Sequence, residues 1–270
     1  MALIGSVNAQ TDPVKRGDYL VNTILTCGNC HTPKGPPAAI AGKDFSGGSQ
    51  NWDEPPFKVM GANITQDKET GIGSWSDADI KKVMRTGVRP NGTPVAMIMP
   101  SSFYQIMTEA DMNAVVAYLR TIKPVANKVV DPIYKMPQVH PPFPGGEKPY
   151  TEAMMSDPVK KGFYLVTIGH CLECHTPMGP RGRDFSGKLG TGGFEFKGPW
   201  GVSVARNITS SKTKGIGAWS NDEIKRAITQ GVSKDGSPLK PPMGYHLYAQ
   251  MTGADLDAVV AYLRTVPAKE

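Results

Sequence analysis

The sequence predicts an all-α fold of two tandem domains with long loops, joined by a proline-rich linker. Helix-capping signals recur at matching positions in the two halves of the 270-residue chain. The Gly- and Pro-rich segments between these signals carry no alternation of polar and apolar residues, so they are predicted to be loops rather than strands.

An internal repeat defines the two domains. The segment MTEADMNAVVAYLRT at Met107 returns as MTGADLDAVVAYLRT at Met251, and GIGSWSDADI returns as GIGAWSNDEI at Gly215, each 144 positions further on. Two copies indicate a duplicated domain, because a solenoid needs several short stacked units. The predicted divisions are 1–10 (signal-peptide remnant or disordered), 11–122 (first module), 123–156 (proline-rich linker) and 157–270 (second module).

Each module carries three helix-start signals. The first is an aspartate followed by proline, which favours an N-cap and first helical position. The second is a capping box on a helix that ends at a glycine, and the third is a threonine cap before an apolar helix. These signals lie at Asp12 and Asp157, at Ser76 with Asp79 and Ser220 with Glu223 (ending at Gly87 and Gly231), and at Thr108 and Thr252.

The four cysteines form two CxxCH motifs, within TCGNCHTPKGP and CLECHTPMGP. Four pooled thiolates could bind zinc, but both histidines would then be unexplained. A redox dithiol needs a CxxC beside a βαβ pattern, which is absent from the sequence. Covalent haem attachment explains every residue, because the thiols bond the haem vinyl groups and the histidine becomes an axial iron ligand. The predicted anchors are Cys27, Cys30, Cys171 and Cys174, and the predicted histidine ligands are His31 and His175.

The repeated phrases CxxCHTP, NIT…GIGxWS and a methionine before a capped DAVVAYLR helix resemble bacterial class I cytochrome c domains. They are similar to the cytochrome c subunits of periplasmic alcohol, aldehyde, gluconate and molybdenum-hydroxylase-type dehydrogenases. The resemblance covers both modules and implies two covalently bound haem c groups. Many such subunits have three CxxCH motifs and a membrane anchor, whereas this sequence has two motifs and no apolar run of roughly 20 residues.

The sixth iron ligand is predicted to be a methionine in each module. Only two methionine pairs recur in register, and Met107 with Met251 is explained by a hydrophobic staple before the final helix. Met99 and Met243 lie in proline-containing loops, each 68 residues after its histidine, where the family pattern also places the ligand.

Two alternatives to these methionines remain open. Met97 is the nearest rival in the first module, although its counterpart is Pro241, and His246 is a possible ligand in the second module. Around each haem, Trp75 with Trp219 and Tyr104 with Tyr248 are candidates for packing on the porphyrin, and core packing explains them equally well. Arg206 is a candidate partner for a haem propionate, although its counterpart is Ala62.

His/Met ligation fills all six iron positions, so we expect an electron carrier rather than an enzyme. Two haems on one chain indicate a relay from a periplasmic dehydrogenase to another cytochrome or a terminal oxidase of a respiratory chain. The alternative is a dihaem enzyme, of peroxidase or oxidase type, with one displaceable axial ligand. No spare cysteine is available as a thiolate ligand.

Charge and the N-terminal residues predict partners and location. The formal charge is zero over residues 1–122, +1 over 123–156 and +5 over 157–270, so the second module should be steered toward an acidic partner surface. No basic helix or aromatic-interleaved basic patch predicts nucleic-acid binding. The start, MALIGSVNAQ, resembles the end of an export signal and predicts a bacterial periplasmic protein without a transmembrane segment.

Overall fold

The helices of the two modules correspond one to one. The computed structural model describes residues 12–34, 39–49, 51–180, 182–198 and 200–270, so the predicted signal remnant lies outside the described residues. The first module has α1 (Pro13–Tyr19), which continues as a π-helix (Leu20–Ile24), then α2 (Gly28–His31), α3 (Asp77–Thr86), α4 (Ser101–Tyr104) and α5 (Glu109–Leu119). A 3₁₀-helix (Glu152–Ser156) precedes the second module, which has α6 (Pro158–Ile168), α7 (Cys171–Cys174), α8 (Asn221–Gln230), α9 (Tyr245–Tyr248) and α10 (Gly253–Leu263).

The predicted helix caps are present in both modules. Asp12 and Asp157 each accept a backbone N–H at the start of α1 and α6. Both capping boxes form, and the helices that they start end at Gly87 and Gly231, which adopt the left-handed conformation. Local capping chemistry therefore sets the helix boundaries as the sequence predicts.

The π-helix absorbs a length difference between the modules. Fifteen positions separate Asp12 from Cys27, whereas fourteen separate Asp157 from Cys171. A π turn accommodates one additional residue in a helix. The CxxCH motif therefore follows its first helix in the same way in both modules.

A glycine allows the first and last helices of each module to cross closely. A Cβ atom at Gly17 in α1 would lie 2.0 Å from the carbonyl oxygen of Ala114 in α5, and one at Gly162 in α6 would lie 1.9 Å from that of Ala258 in α10. Real Cβ atoms do not approach an oxygen this closely, so only glycine fits either crossing.

The all-α prediction is wrong, because helix accounts for 34% of the structure and strand for 11%, in three small sheets. Each strand has only two to four residues, too few to display an alternating pattern in the sequence. The strands are β1 (Asn51–Glu54), β2 (Phe57–Met60), β3 (Ile133–Tyr134), β4 (Met178–Gly179), β5 (Gly182–Arg183), β6 (Glu195–Gly198) and β7 (Gly201–Val204). All neighbours pair antiparallel, in the orders β1-β2-β3, β4-β5 and β6-β7.

Residues of both modules share one apolar core. Two reciprocal hydrogen bonds cross between the modules at 2.7 Å: Tyr19 Oη donates to Asp255, and Tyr164 Oη donates to Asp111. The linker contributes Phe143, whose ring lies 5.2 Å from Phe103 and 5.0 Å from Phe185 (centroid distances). The linker is therefore packed into the structure as well as connecting its halves.

No helix in the described part of the chain is both long and apolar enough to cross a bilayer.

Candidate functional site

Each CxxCH motif forms a single helical turn. In the first module, the His31 N–H donates to the Cys27 carbonyl oxygen (3.0 Å), and in the second the His175 N–H donates to that of Cys171 (3.1 Å). Residues four apart lie on one face of a helix, so the first cysteine and the histidine point to the same side. No disulfide joins any of the four cysteines, all of which lie within the described residues.

The thiols are poorly suited to dithiol redox exchange. Burial raises the pKa of Cys27 and Cys174 to about 12, and that of Cys30 and Cys171 to about 11. A redox dithiol reacts as a thiolate, which these pKa values disfavour at neutral pH. The described residues also contain no cluster of three or more potential metal-ligating His, Cys, Asp or Glu side chains.

Both histidines have the hydrogen bonding of an iron ligand. The Nδ1 atom of His31 lies 2.7 Å from the carbonyl oxygen of Ala62, and that of His175 lies 2.6 Å from that of Arg206. Burial lowers the pKa of both rings, which favours the neutral form. With the proton on Nδ1, Nε2 presents a lone pair, and neither Nε2 has a hydrogen-bond partner among the described residues. These side chains fit an axial haem ligand.

The repeated NIT sequence holds the loop that supplies these carbonyl oxygens. The Asn63 side chain accepts the Thr65 N–H and donates to the Val125 carbonyl, at 3.0 and 2.8 Å. Asn207 in the second module makes the same bonds to Thr209 and Lys269. The sequence alone assigned no role to these asparagines, although their recurrence beside each acceptor residue was a usable signal.

Arg206 contributes to the site through its backbone. Its carbonyl oxygen binds His175, while its guanidinium donates to the hydroxyls of Ser233 and Ser237. Because the backbone performs the shared role, Ala62 can occupy the equivalent position. Binding of a propionate by the Arg206 side chain stays a prediction.

The structure separates the two methionines that competed in the first module. Met99 packs against the main core, as do Cys27 and Trp75. Met97 packs instead against a separate cluster of Phe57, Val59 and Ala96. The two methionines therefore pack against different clusters, and iron ligation by Met99 stays a prediction.

The other methionine candidates differ in burial. Met107 is fully buried and Met251 is half-buried against the same core, consistent with the packing role predicted for this pair. In the second module, Met243 is half-buried and His246 is exposed. Iron ligation by Met243 stays a prediction.

Each predicted methionine ligand is followed five residues later by a tyrosine in a short helix, Tyr104 in α4 and Tyr248 in α9. Burial raises the pKa of both phenols, and the cysteines of the same module add a smaller Coulombic contribution. Packing of these tyrosines on a porphyrin stays a prediction.

The two motifs also lie near one another. A Cβ atom at Gly169, two residues before Cys171, would be 3.6 Å from the carbonyl oxygen of Ile24, three residues before Cys27. Burial is the main cause of the raised pKa of Cys174, and Cys30 of the other module adds a Coulombic contribution. The two candidate attachment helices therefore face the same interface.

Known proteins resemble this chain in sequence. Residues 14–123 match the cytochrome c family. The chain is 30% identical to the gluconate 2-dehydrogenase cytochrome c subunit of Pantoea cypripedii, over 95% of this chain and 60% of that subunit. It is 29% identical to the fructose dehydrogenase cytochrome subunit of Gluconobacter japonicus, over 97% of this chain and 54% of that protein.

A shorter relative is the diheme cytochrome c-type protein of Cereibacter sphaeroides, 28% identical over 90% of this chain and 83% of that protein. The chain thus spans a little over half the length of the two dehydrogenase subunits. Domains of the cytochrome c family hold covalently bound haem c, and the CxxCH motifs of this chain fit such an attachment. Residues 14–123 therefore resemble a cytochrome c domain, and the whole chain is similar to cytochrome c subunits of bacterial dehydrogenases.

Proposed function

We propose that this chain is a dihaem c-type cytochrome, with one haem per module, that relays electrons from a periplasmic dehydrogenase to a downstream respiratory acceptor. The observation that carries the proposal is the duplicated histidine geometry. In both modules, a histidine at the end of CxxCH binds a backbone carbonyl through Nδ1 and leaves Nε2 for iron. Bound haem c supplies one-electron chemistry through its iron.

The residues have the same roles in each copy. In the first site, Cys27 and Cys30 would anchor the haem, and His31 and Met99 would bind its iron. In the second, Cys171 and Cys174 would be the anchors, and His175 and Met243 the ligands. A histidine and a methionine together would raise the reduction potential and leave no position for a substrate, which favours a carrier over an enzyme.

Similarity supports the choice of partners. The relatives are named as cytochrome subunits of gluconate and fructose dehydrogenases. We therefore assign a dehydrogenase as the electron donor and a periplasmic location. The acceptor in this proposal is another cytochrome or a terminal oxidase.

Separate Met99→Ala and Met243→Ala variants test the ligand set. Each should lose about half of the methionine–ferric haem absorption and lower the potential of one haem, because the thioether favours the reduced iron. Haem content should be two per chain throughout, and Met97→Ala is the matched control with an unchanged spectrum. The measurements are absorption spectra and potentiometric titration.

Contrary results would point to specific alternatives. If Met97→Ala altered the spectrum and Met99→Ala did not, Met97 would be the iron ligand of the first module. Unchanged spectra in both main variants would reject methionine ligation at these positions. High-spin haem in the unaltered protein, or peroxide turnover, would support a dihaem enzyme.

A further inference from the structure

The second module has an open sheet edge where the first module has a paired one. In the first module, β2 lies between β1 and the linker strand β3, with Lys58 opposite Ile133. In the second module, β7 pairs with β6, and no strand within the described ranges pairs with its other side. The two hairpins are equivalent, because β7 lies 144 positions after β2.

The backbone of Val202 is directed outward at this edge. The Ala205 N–H donates to the Phe194 carbonyl at 2.8 Å, so the alternation of the antiparallel ladder points the N–H and C=O of Val202 away from β6. Its carbonyl oxygen is accordingly reached by Lys240 Nζ, at 3.5 Å. Val202 is the counterpart of Lys58, the residue that pairs with Ile133.

The apolar side chains of β7 are exposed, whereas those of β2 in the first module are buried. In the first module, Phe57 and Val59 are buried, whereas their counterparts in the second module are Gly201 and Ser203. The alternate positions carry the valines instead, with Val202 47% and Val204 51% exposed, and Trp200 at the turn is 38% exposed. An unpaired edge with exposed valines is a template for strand addition.

The residue beside this edge has opposite charge in the two modules. In the first module, Asp53 on β1 binds Lys135, which follows β3, at 2.6 Å, and Lys58 at 3.4 Å. The counterpart of Asp53 is Lys197 on β6, which pairs with Val202 across the hairpin. Lys197 forms no salt bridge with any described carboxylate. In the first module, Lys135 just after β3 faces the carboxylate of Asp53. A strand added to β7 would therefore need a carboxylate at the position equivalent to Lys135, because it would face Lys197.

We propose that the outer edge of β7 is a docking site for an extended segment of a redox partner protein. The segment places an apolar residue opposite Val202 and a carboxylate two residues further on, facing Lys197. The inference rests on the proposed function for the kind of partner. A partner docked at this edge would lie close to the predicted iron ligand, because β7 ends two residues before Arg206, whose carbonyl binds His175.

The net charge of the second module supports this occupant. Residues 157–270 carry a formal charge of +5, which attracts an acidic partner and repels a second copy of the same surface. In the first module, the equivalent edge of β2 is occupied by β3. A partner that adds a strand at this position of the hairpin is therefore directed to the second module.

A peptide with the sequence of residues 128–138 and the change Lys135→Glu tests the proposal, with the unaltered peptide as the charge control. The altered peptide should bind the full-length haem-loaded protein and slow hydrogen exchange at the amides of Val202 and Val204. The unaltered peptide should bind about fivefold more weakly, because its lysine faces Lys197. In a Lys197→Asp variant of the protein, this preference should reverse.

Backbone pairing is tested separately by Val202→Pro. The Val202 N–H points away from β6, so proline removes the docking donor and leaves the β6–β7 ladder intact. Peptide binding should be lost in Val202→Pro and retained in the matched control Val202→Thr, with haem spectra unchanged in both.

Three results would overturn the proposal. They are absence of protection at β7, equal binding of the two peptides, and binding that survives Val202→Pro. Dimerisation that Val202→Pro abolishes would assign the edge to self-association instead. The readouts do not involve the iron ligands, so a negative result here is distinguishable from failure of the electron-transfer proposal.

Discussion

The two modules share their histidine geometry but differ at their hairpins. His31 and His175 bind backbone carbonyls at almost equal distances, through loops held by equivalent asparagines. The hairpins retain their position and length, yet the first is covered by β3 and the second exposes valines. The comparison indicates that backbone and asparagine contacts keep the histidine geometry the same even where Ala62 is replaced by Arg206, whereas the hairpin surfaces differ in both pairing and exposure.

The largest expected effect tests whether the helical frames are equivalent. Gly17→Ala and Gly162→Ala should each lower the free energy of unfolding by about 3 kcal/mol, because the new methyl group would overlap the carbonyl of Ala114 or Ala258. Gly253→Ala is a suitable control, since the added methyl group would meet no atom within 4 Å and alanine favours helix. Denaturant titration measures all three. A strongly unequal loss at the two crossings would show that the frames are not equivalent.

A smaller effect should distinguish the two aspartates at the module interface. Asp111 accepts two hydrogen bonds from Arg16, at 2.8 and 2.9 Å, whereas Asp255 is paired with Lys161 at 2.6 Å. Asp111→Asn should cost about 2 kcal/mol, because it removes the charge that pairs with the half-buried Arg16 guanidinium. Asp255→Asn should cost less, since the lysine offers a single point charge rather than a planar pair of donors.

Urea denaturation measures this difference, with Asp77→Asn as the control at an exposed pair with Arg120. The control should change the midpoint least. Equal losses at Asp111 and Asp255 would mean that the tyrosine bonds, rather than the ion pairs, dominate this interface.

The smallest expected effect concerns the reciprocal tyrosines and depends on pH. Burial, reinforced by Asp255, raises the pKa of Tyr19 from 10.0 to about 12. The folded protein therefore keeps a phenol proton that the unfolded chain loses, so this stabilisation is complete below pH 10 and is lost as the pH rises to 12. Tyr19→Phe should cost about 1 kcal/mol at neutral pH and should make the decline above pH 10 less steep.

Tyr164→Phe provides the comparison, because Tyr164 is fully buried and makes the equivalent bond to Asp111. Its loss at neutral pH should exceed that of Tyr19→Phe. Thermal melts between pH 7 and pH 12 supply the measurement. A Tyr19→Phe profile parallel to that of the unaltered protein would contradict the assignment of this titration to Tyr19.

Some features could be predicted because their signals are local. Ser76 and Asp79 are three residues apart and cap α3 whatever the rest of the chain does. The CxxCH motif likewise needs only one helical turn to place Cys27 and His31 on the same side. The strands could not be predicted in this way, because two to four residues carry no measurable period and β3 depends on a partner more than 70 positions away.

The sequence by itself determined the duplication, because the repeated phrases can be aligned residue by residue. It also determined the helix boundaries and the residues of both CxxCH motifs, because these depend on contacts within a few positions. The tertiary structure alone decided which carbonyl each histidine binds, how Met97 and Met99 diverge, and which hairpin edge stays open. These outcomes depend on segments brought together by the packing of helices and linker. Interactions between residues close in the sequence can be predicted from the sequence, whereas the partner of a residue across the fold depends on the tertiary packing.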